Sequence, residues 1–170
     1  MAARDEAAFE AFVSARSADL LRTAVLLTHD RGHAEDLLQG ALVKAYRRWR
    51  RIAADDPYAY VRRILVNDAA SRRRLRATQE IVSLPDDVRW VPDATEALAE
   101  RDRLIQALAS LPPRMRTVLV LRYAEDLSEA ATADAMGCSV ATVKTHAARG
   151  LARLRAVLGT TRPSALFEEC

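Results

Sequence analysis

The sequence predicts an all-α protein made of two small helical domains, the second containing a helix-turn-helix, and three observations predict it. Apolar residues recur at spacings of three and four along most of the chain, the signature of helices with one buried stripe. Aromatic residues supply only 5% of the 170 residues while 50% are hydrophobic, a balance that suits helix packing better than strands. Periodicity then fails between Ala77 and Asp93, where Pro85 and Pro92 interrupt and acids collect, which marks a linker. The expected boundaries are a first domain over 5–76, a linker over 77–94, a second domain over 95–158 and a tail over 159–170 that is expected to be disordered.

Each helix has its own local reason. The first is expected from Asp5 to about Leu27, with Phe9, Phe12, Val13, Leu20, Leu21, Ala24 and Leu27 on its stripe; the spacing is compatible with a break near Ser17, and HDRG ends it. The second is expected from His33 to Ile52, turning Leu37, Leu38, Ala41, Leu42, Ala45, Tyr46 and Trp49 inward and Glu35, Asp36, Gln39 and Lys44 to other faces. Asp55 and Asp56 before Pro57 are an N-terminal signal for a third, whose periodic positions are Tyr58, Val61, Ile64, Leu65 and Ala69 and whose end is the run SRRRLR. A helix over Thr95–Ser110 follows, and Pro112 and Pro113 open another that contains Val118, Leu119, Leu121 and Tyr123.

Residues 127–155 read as the helix-turn-helix. Ser128 is placed to cap a short helix in which Ala130, Ala131, Ala133 and Ala135 are small packing positions, Gly137 supplies a left-handed end, and Ser139 caps the next helix. That next helix has no acidic residue. Val140, Val143, Ala147, Leu151 and Leu154 form its inward stripe, leaving Thr142, Lys144, Thr145, His146 and Arg149 mostly outside it, as a helix in the DNA major groove requires. A solvated basic face on an ordinary bundle is the competing explanation; the alanine-rich first helix and the Gly-x-Ser turn favour DNA.

Charge is segregated although the formal net charge is only +3. Lys44–Arg76 holds eleven Lys or Arg against Asp55, Asp56 and Asp68, whereas Ala77–Arg103 holds seven acids against three arginines, so the chain runs basic, acidic, basic. Interleaved with the first basic field are Trp49, Tyr58 and Tyr60, the combination that holds unpaired DNA by phosphate attraction and base stacking. Trp49 lies on the leucine stripe, where core packing competes with stacking and is favoured. No Gly-rich phosphate loop is present among the five glycines, and no nucleophile–base set or paired-carboxylate metal constellation stands out, so no catalytic residue and no cofactor is expected. His29 and His33 lie four apart without a third ligand nearby, which argues against a metal. Cys138 fits as a small packing residue in the turn and Cys170 ends the chain, consistent with a reducing compartment. No apolar run is long enough to span a bilayer and the N-terminus is charged rather than signal-like, so a cytoplasmic protein without membrane insertion is expected.

Three blocks, AEDLLQGALVKAYRRW (34–49), DPYAYVRRILVNDAASRRR (56–74) and LASLPPRMRTVLVLRYAEDLSEAATADAMGCSVATVKTHAARGLARLR (108–155), occur in an order and spacing that resemble an extracytoplasmic-function sigma factor of the sigma-70 family, nearest to the actinobacterial SigE-type group. The resemblance covers about Phe9 to Leu158. It implies sigma domains two and four joined by a linker, with core RNA polymerase and promoter DNA as partners, and it admits an anti-sigma factor. By resemblance, Glu35, Asp36, Leu37, Leu38 and Gln39 contact the polymerase; a capping acid and core leucines are the competing explanation. Gly40 departs from the longer polar residue usual there and costs roughly 1 kcal/mol relative to alanine inside a helix. Tyr58, Tyr60, Arg62, Arg63, Asn67 and Arg72 are implied to take the opened minus-10 strand, with Tyr60 in place of a common tryptophan. Ser139, Thr142, Lys144, Thr145, His146 and Arg149 are implied to read the minus-35 duplex. The alternative function is a helix-turn-helix regulator that binds duplex operators without polymerase, which would not need the AEDLLQ block or the basic–aromatic helix. A small helical nuclease is the further alternative, disfavoured by the missing catalytic set.

Overall fold

The computed structural model describes residues 3–78, 96–159 and 167, with side chains over 4–71, 99–159 and 167. Seven helices follow one another: α1 (Ala3–Thr28), α2 (Arg31–Ile52), α3 (Pro57–Thr78), α4 (Glu96–Ala109), α5 (Pro113–Leu119, continued by a wide π turn over Val120–Ala124), α6 (Glu129–Met136) and α7 (Val140–Leu158). The described residues include no strand. Most of the expected linker lies outside the described residues.

Local chemistry sets the helix ends. α1 is unbroken through Ser17 and stops where His29 takes a left-handed conformation at φ 54°. Asp30 then caps α2 by accepting the His33 backbone N–H at 2.6 Å. α2 therefore begins at Arg31, two residues before the expected start, and Glu35 and Asp36 lie beyond its first turn. Asp56 accepts the Ala59 N–H at 2.9 Å at the start of α3, with Pro57 as the first helical residue. Asp5 of α1 pairs with Arg50 of α2 at 3.2 Å, so the two helices run antiparallel over their full length.

The α1–α3 module buries Leu20, Ala24, Leu37, Ala41, Ala45, Val61 and Leu65. Trp49 is 4% exposed and meets the Phe9 and Phe12 rings at 5.1 and 5.3 Å, so it is a core residue and not a stacking platform. Tyr46 sits half out of the expected stripe, its ring edge-on to Phe9 at 5.0 Å. The α4–α7 module buries Leu104, Leu108, Leu111 and Leu154, and Val118 to Leu121 without interruption. At Gly150 on α7 an added Cβ would come within 3.0 Å of Leu119, so α5 and α7 cross in close contact.

The larger cluster of buried side chains runs across both modules, from Leu20 and Leu37 to Leu121 and Leu154. α1 touches α4 and the π turn, and α3 touches α6. One residue that sequence reasoning did not single out, Arg116, is 3% exposed and joins the modules. Its guanidinium donates to the carbonyls of Leu108 (2.8 Å) and Ala109 (3.0 Å), the last two residues of α4, to that of Leu111 just past it (3.1 Å), and to that of Leu27 near the end of α1 (3.0 Å). A cation at two helix C-termini satisfies carbonyls that the helices leave open and suits both dipoles. Phe167, in the segment expected to be a loose tail, is 5% exposed and lies against Tyr123 at 5.9 Å between ring centres.

Candidate nucleic-acid interface

The helix-turn-helix forms through its predicted caps. Ser128 accepts the Ala131 N–H at 3.1 Å, Gly137 ends α6 at φ 61°, and Ser139 accepts the Thr142 N–H at 3.1 Å. Thr132 and Ala133 are the buried positions of α6, whereas Ala130 and Ala131 face solvent, against the expectation that all four alanines pack. Cys138 packs beside Val118, Ala133 and Val143. On α7, Val143 and Leu154 are fully buried, but Val140 is 39% exposed because it is the first helical residue and the bundle begins below it.

The exposed face of α7 carries Lys144, Thr145 and Arg149. Lys144 sits 3.5 Å from Glu129 of α6, a solvent-facing pair that phosphate can displace at little cost. Thr145 donates to the Ala141 carbonyl at 3.0 Å, and Ser139 and Thr142 share their hydroxyls at 2.9 Å, so Ser139 serves first as a cap. Thr142 and His146 are half-buried and turn toward the first module.

On α2, Glu35, Asp36 and Gln39 are exposed on one turn, with Arg31 holding Glu35 at 2.9 Å. The helix cap is Asp30, so neither acid is needed as one. Leu37 and Leu38 are 1% and 7% exposed and support the turn from beneath instead of facing outward. An added Cβ at Gly40 would meet nothing within 4 Å.

The α3 residues divide. Arg63 and Asn67 are exposed and Tyr60 is half-buried against the core. The side chain of Arg72 lies outside the described residues. Tyr58 and Arg62 face the second module. The Tyr58 ring lies beneath the Arg16 and Arg62 guanidinium groups at 4.9 and 5.5 Å, and its hydroxyl donates to Glu125 Oε1 at 3.1 Å. Arg62 reaches Glu125 Oε2 at 3.2 Å, and Thr23 donates to Oε1. Burial pushes the Tyr58 hydroxyl up to about 12, with the Glu125 charge and hydrogen bond adding to the rise. Glu125 follows the π turn, its N–H bonded to the Val120 carbonyl at 3.0 Å. Neither Glu125 nor Thr23 carries a signal in the sequence, because their partners lie on distant segments.

Between the modules runs a cleft of about 960 Å³, lined by Asn67 from α3 and by Thr142 and His146 from α7. His29 and His33 also line it, and His146 Nδ1 is buried there without a hydrogen bond. Among the described residues no group of three or more His, Cys, Asp or Glu side chains is placed to hold a metal ion, and no helix is long and apolar enough to cross a membrane.

An acid-free helix seated on a tight helix-turn-helix, beside a second helical module whose α3 is basic and aromatic, defines a two-module DNA-binding protein. Comparison with known proteins gives the particular family. Residues 12–79 match Sigma-70 region 2 and residues 101–154 match Sigma-70, region 4. The chain is 44% identical over 153 residues to an RNA polymerase sigma-E factor of Streptomyces avermitilis, covering 86% of this chain and 83% of that one. It is 32% identical over 158 residues to the ECF RNA polymerase sigma factor SigM of Mycobacterium tuberculosis, covering 92% and 80%. Its fold is similar to that of the sigma factor RpoE of Bartonella quintana, solved in complex with the anti-sigma factor NepR, with a TM-score of 0.68, 24% identity and coverage of 91% and 98%. It is also similar to CnrH in complex with the cytosolic domain of CnrY, with a TM-score of 0.64, 23% identity and coverage of 89% and 87%. The chain belongs to the sigma-70 family, among the sigma factors of extracytoplasmic-function type, and is an alternative sigma factor that directs transcription initiation.

Proposed function

We propose that this chain binds core RNA polymerase through the exposed Glu35, Asp36 and Gln39 turn of α2, with Leu37 and Leu38 holding that turn from the core. Its α7 face, with Thr142, Lys144, Thr145, His146 and Arg149 behind the Ser139 cap, reads the minus-35 element as duplex. Lys144 and Arg149 supply phosphate attraction, and the neutral side chains supply base contacts. Tyr58, Tyr60, Arg62, Arg63, Asn67 and Arg72 of α3 receive the opened minus-10 strand by stacking and phosphate contact. The observation that carries this reading is the exposed, acid-free face of α7 in a chain that also carries the region 2 module. An anti-sigma factor is a further partner, supported by the complex with the anti-sigma factor NepR in which the Bartonella quintana neighbour was solved. The work is binding and positioning and uses no catalytic group of this chain; it takes place in the cytoplasm, with the polymerase.

Run-off transcription tests this function. Core polymerase from the parent organism plus this chain is expected to give discrete transcripts from genomic promoter fragments that core polymerase alone does not use. Absence of any transcript dependent on the chain would leave a duplex-binding regulator as the better description.

A further inference from the structure

Phe167 lies well past Gly159, whose left-handed conformation ends α7, yet it is 5% exposed and belongs to the larger buried cluster. One aromatic side chain therefore returns to the core after the last helix. It is the aromatic residue of the stretch TTRPSALFEEC (160–170), and two acids, Glu168 and Glu169, follow it directly. Its ring lies 5.9 Å from that of Tyr123 on the π turn, and it lines a recess of about 370 Å³ together with Leu26 of α1 and Arg101 of α4. The recess holds more cations than its own acids engage. Arg16 and Arg22 are held by Asp19, and Arg62 by Glu125 at 3.2 Å. Arg101, half-buried in the same recess, has no ion pair among the described residues, and Asp126 is a solvent-exposed acid at the rim. A guanidinium drawn half out of water gains from a carboxylate partner. One residue of extended chain spans at most about 3.6 Å, so acids placed directly after the Phe167 anchor come within reach of the long Arg101 side chain.

We propose that this recess is a peptide-docking site for an aromatic residue followed by acidic residues, with the chain's own 160–170 segment as its resident ligand. Phe167 is the anchor, and Glu168 and Glu169 bring negative charge toward Arg101. One buried aromatic carries most of the affinity of such a contact, while charge sets which peptide is taken. An occupied site also conceals itself. A free peptide meets only the fraction of molecules from which the resident segment has departed, so its apparent affinity falls by that fraction. The site is independent of the polymerase and promoter contacts, and its segment is exchangeable for a partner peptide of the same pattern.

The test uses the full chain, its Phe167→Ala variant and a fluorescently labelled synthetic peptide of residues 160–169. Anisotropy reads peptide binding, and circular dichroism checks that each variant is folded. The Phe167→Ala chain is expected to bind the peptide about tenfold tighter than the wild type, whose site is already filled. The same peptide carrying Phe167→Ala is expected not to bind, and adding Arg101→Ala to the variant chain should weaken binding several-fold. Should the Phe167→Ala chain fail to fold, the full chain carrying Glu168→Lys and Glu169→Lys keeps the anchor. It is expected to bind the peptide more tightly than the wild type does, because reversed charge loosens the resident segment. Absence of peptide binding to whichever variant is folded would overturn the proposal, as would equal binding of the peptide without its phenylalanine or binding indifferent to Arg101→Ala.

Discussion

Replacing Arg116 with methionine keeps the length and apolar stem of the side chain and removes the guanidinium that ties α1, α4 and α5 together. Four carbonyls, of Leu27, Leu108, Ala109 and Leu111, lose the guanidinium, but that of Leu108 keeps the Leu111 N–H at 3.1 Å. A buried acceptor left unpaired costs about 1 kcal/mol or more, which gives about 3 kcal/mol for the other three. Part is recovered, because the variant no longer desolvates a guanidinium and because water can approach the partly buried Ala109 carbonyl. We expect a net loss of about 2 kcal/mol, a large share of the roughly 5–15 kcal/mol typical of a whole domain. Arg116→Lys, which keeps the charge but not the fork, should fall between. Urea unfolding followed by circular dichroism measures both, read from the shift in midpoint at constant slope. A loss below about 1 kcal/mol for Arg116→Met would refute the assignment of Arg116 as the cap of two helices.

Asp36→Ala combined with Gln39→Ala should reduce co-purification with core polymerase while leaving the unfolding free energy within about 0.5 kcal/mol of wild type, since both residues are exposed and Asp30 is the cap; undiminished co-purification of the folded variant would count against the polymerase contact. Gly40→Ala should stabilise by about 1 kcal/mol because its Cβ meets nothing, whereas Gly150→Ala should destabilise because Leu119 must yield; thermal melts that rank the two the other way would contradict the close α5–α7 crossing. The raised Tyr58 value makes the neutral phenol the favoured form when folded. Its stabilisation of the closed arrangement is therefore complete below the ordinary tyrosine value near 10 and is lost as pH rises toward about 12. Tyr58→Phe should flatten that part of the stability profile, and an unaltered profile would place the alkaline loss elsewhere.

What the sequence made legible was what short segments control. The Ser128, Ser139 and Asp56–Pro57 starts, the Gly137 end and the Trp49 core position follow from neighbours within a few residues, and the structure has them as expected. Val140 shares the periodicity of the inward stripe and is still 39% exposed, because periodicity gives a face and not the height at which a bundle begins. HDRG signals the end of α1, and the same four residues hold the cap of α2, Asp30, which periodicity does not reveal; α2 therefore starts earlier than its apolar stripe indicates, and Glu35 and Asp36 lie beyond its first turn. Arg116 and Glu125 were invisible for a different reason. Arg116 meets Leu27 across 89 positions, and Glu125 meets Arg62 and Thr23 across 63 and 102 positions, so no local period or spacing encodes them. The same distance hid the contact between modules, which depends on side chains that look like ordinary surface charges in isolation.

In the proposed function this chain makes polymerase hold an opened strand as well as a duplex, and strand preference is the quantity that separates the two. Duplex DNA hides base faces, so aromatic stacking can favour only an opened strand, whereas arginines attract both forms. Holoenzyme containing this chain is expected to bind a promoter fragment with a pre-melted minus-10 bubble more tightly than the matched duplex. Tyr60→Ala together with Asn67→Ala is expected to erase most of that difference while leaving minus-35 binding intact, since a stacked base contributes about 1–3 kcal/mol. Equal affinity of wild-type holoenzyme for bubble and duplex would contradict the account.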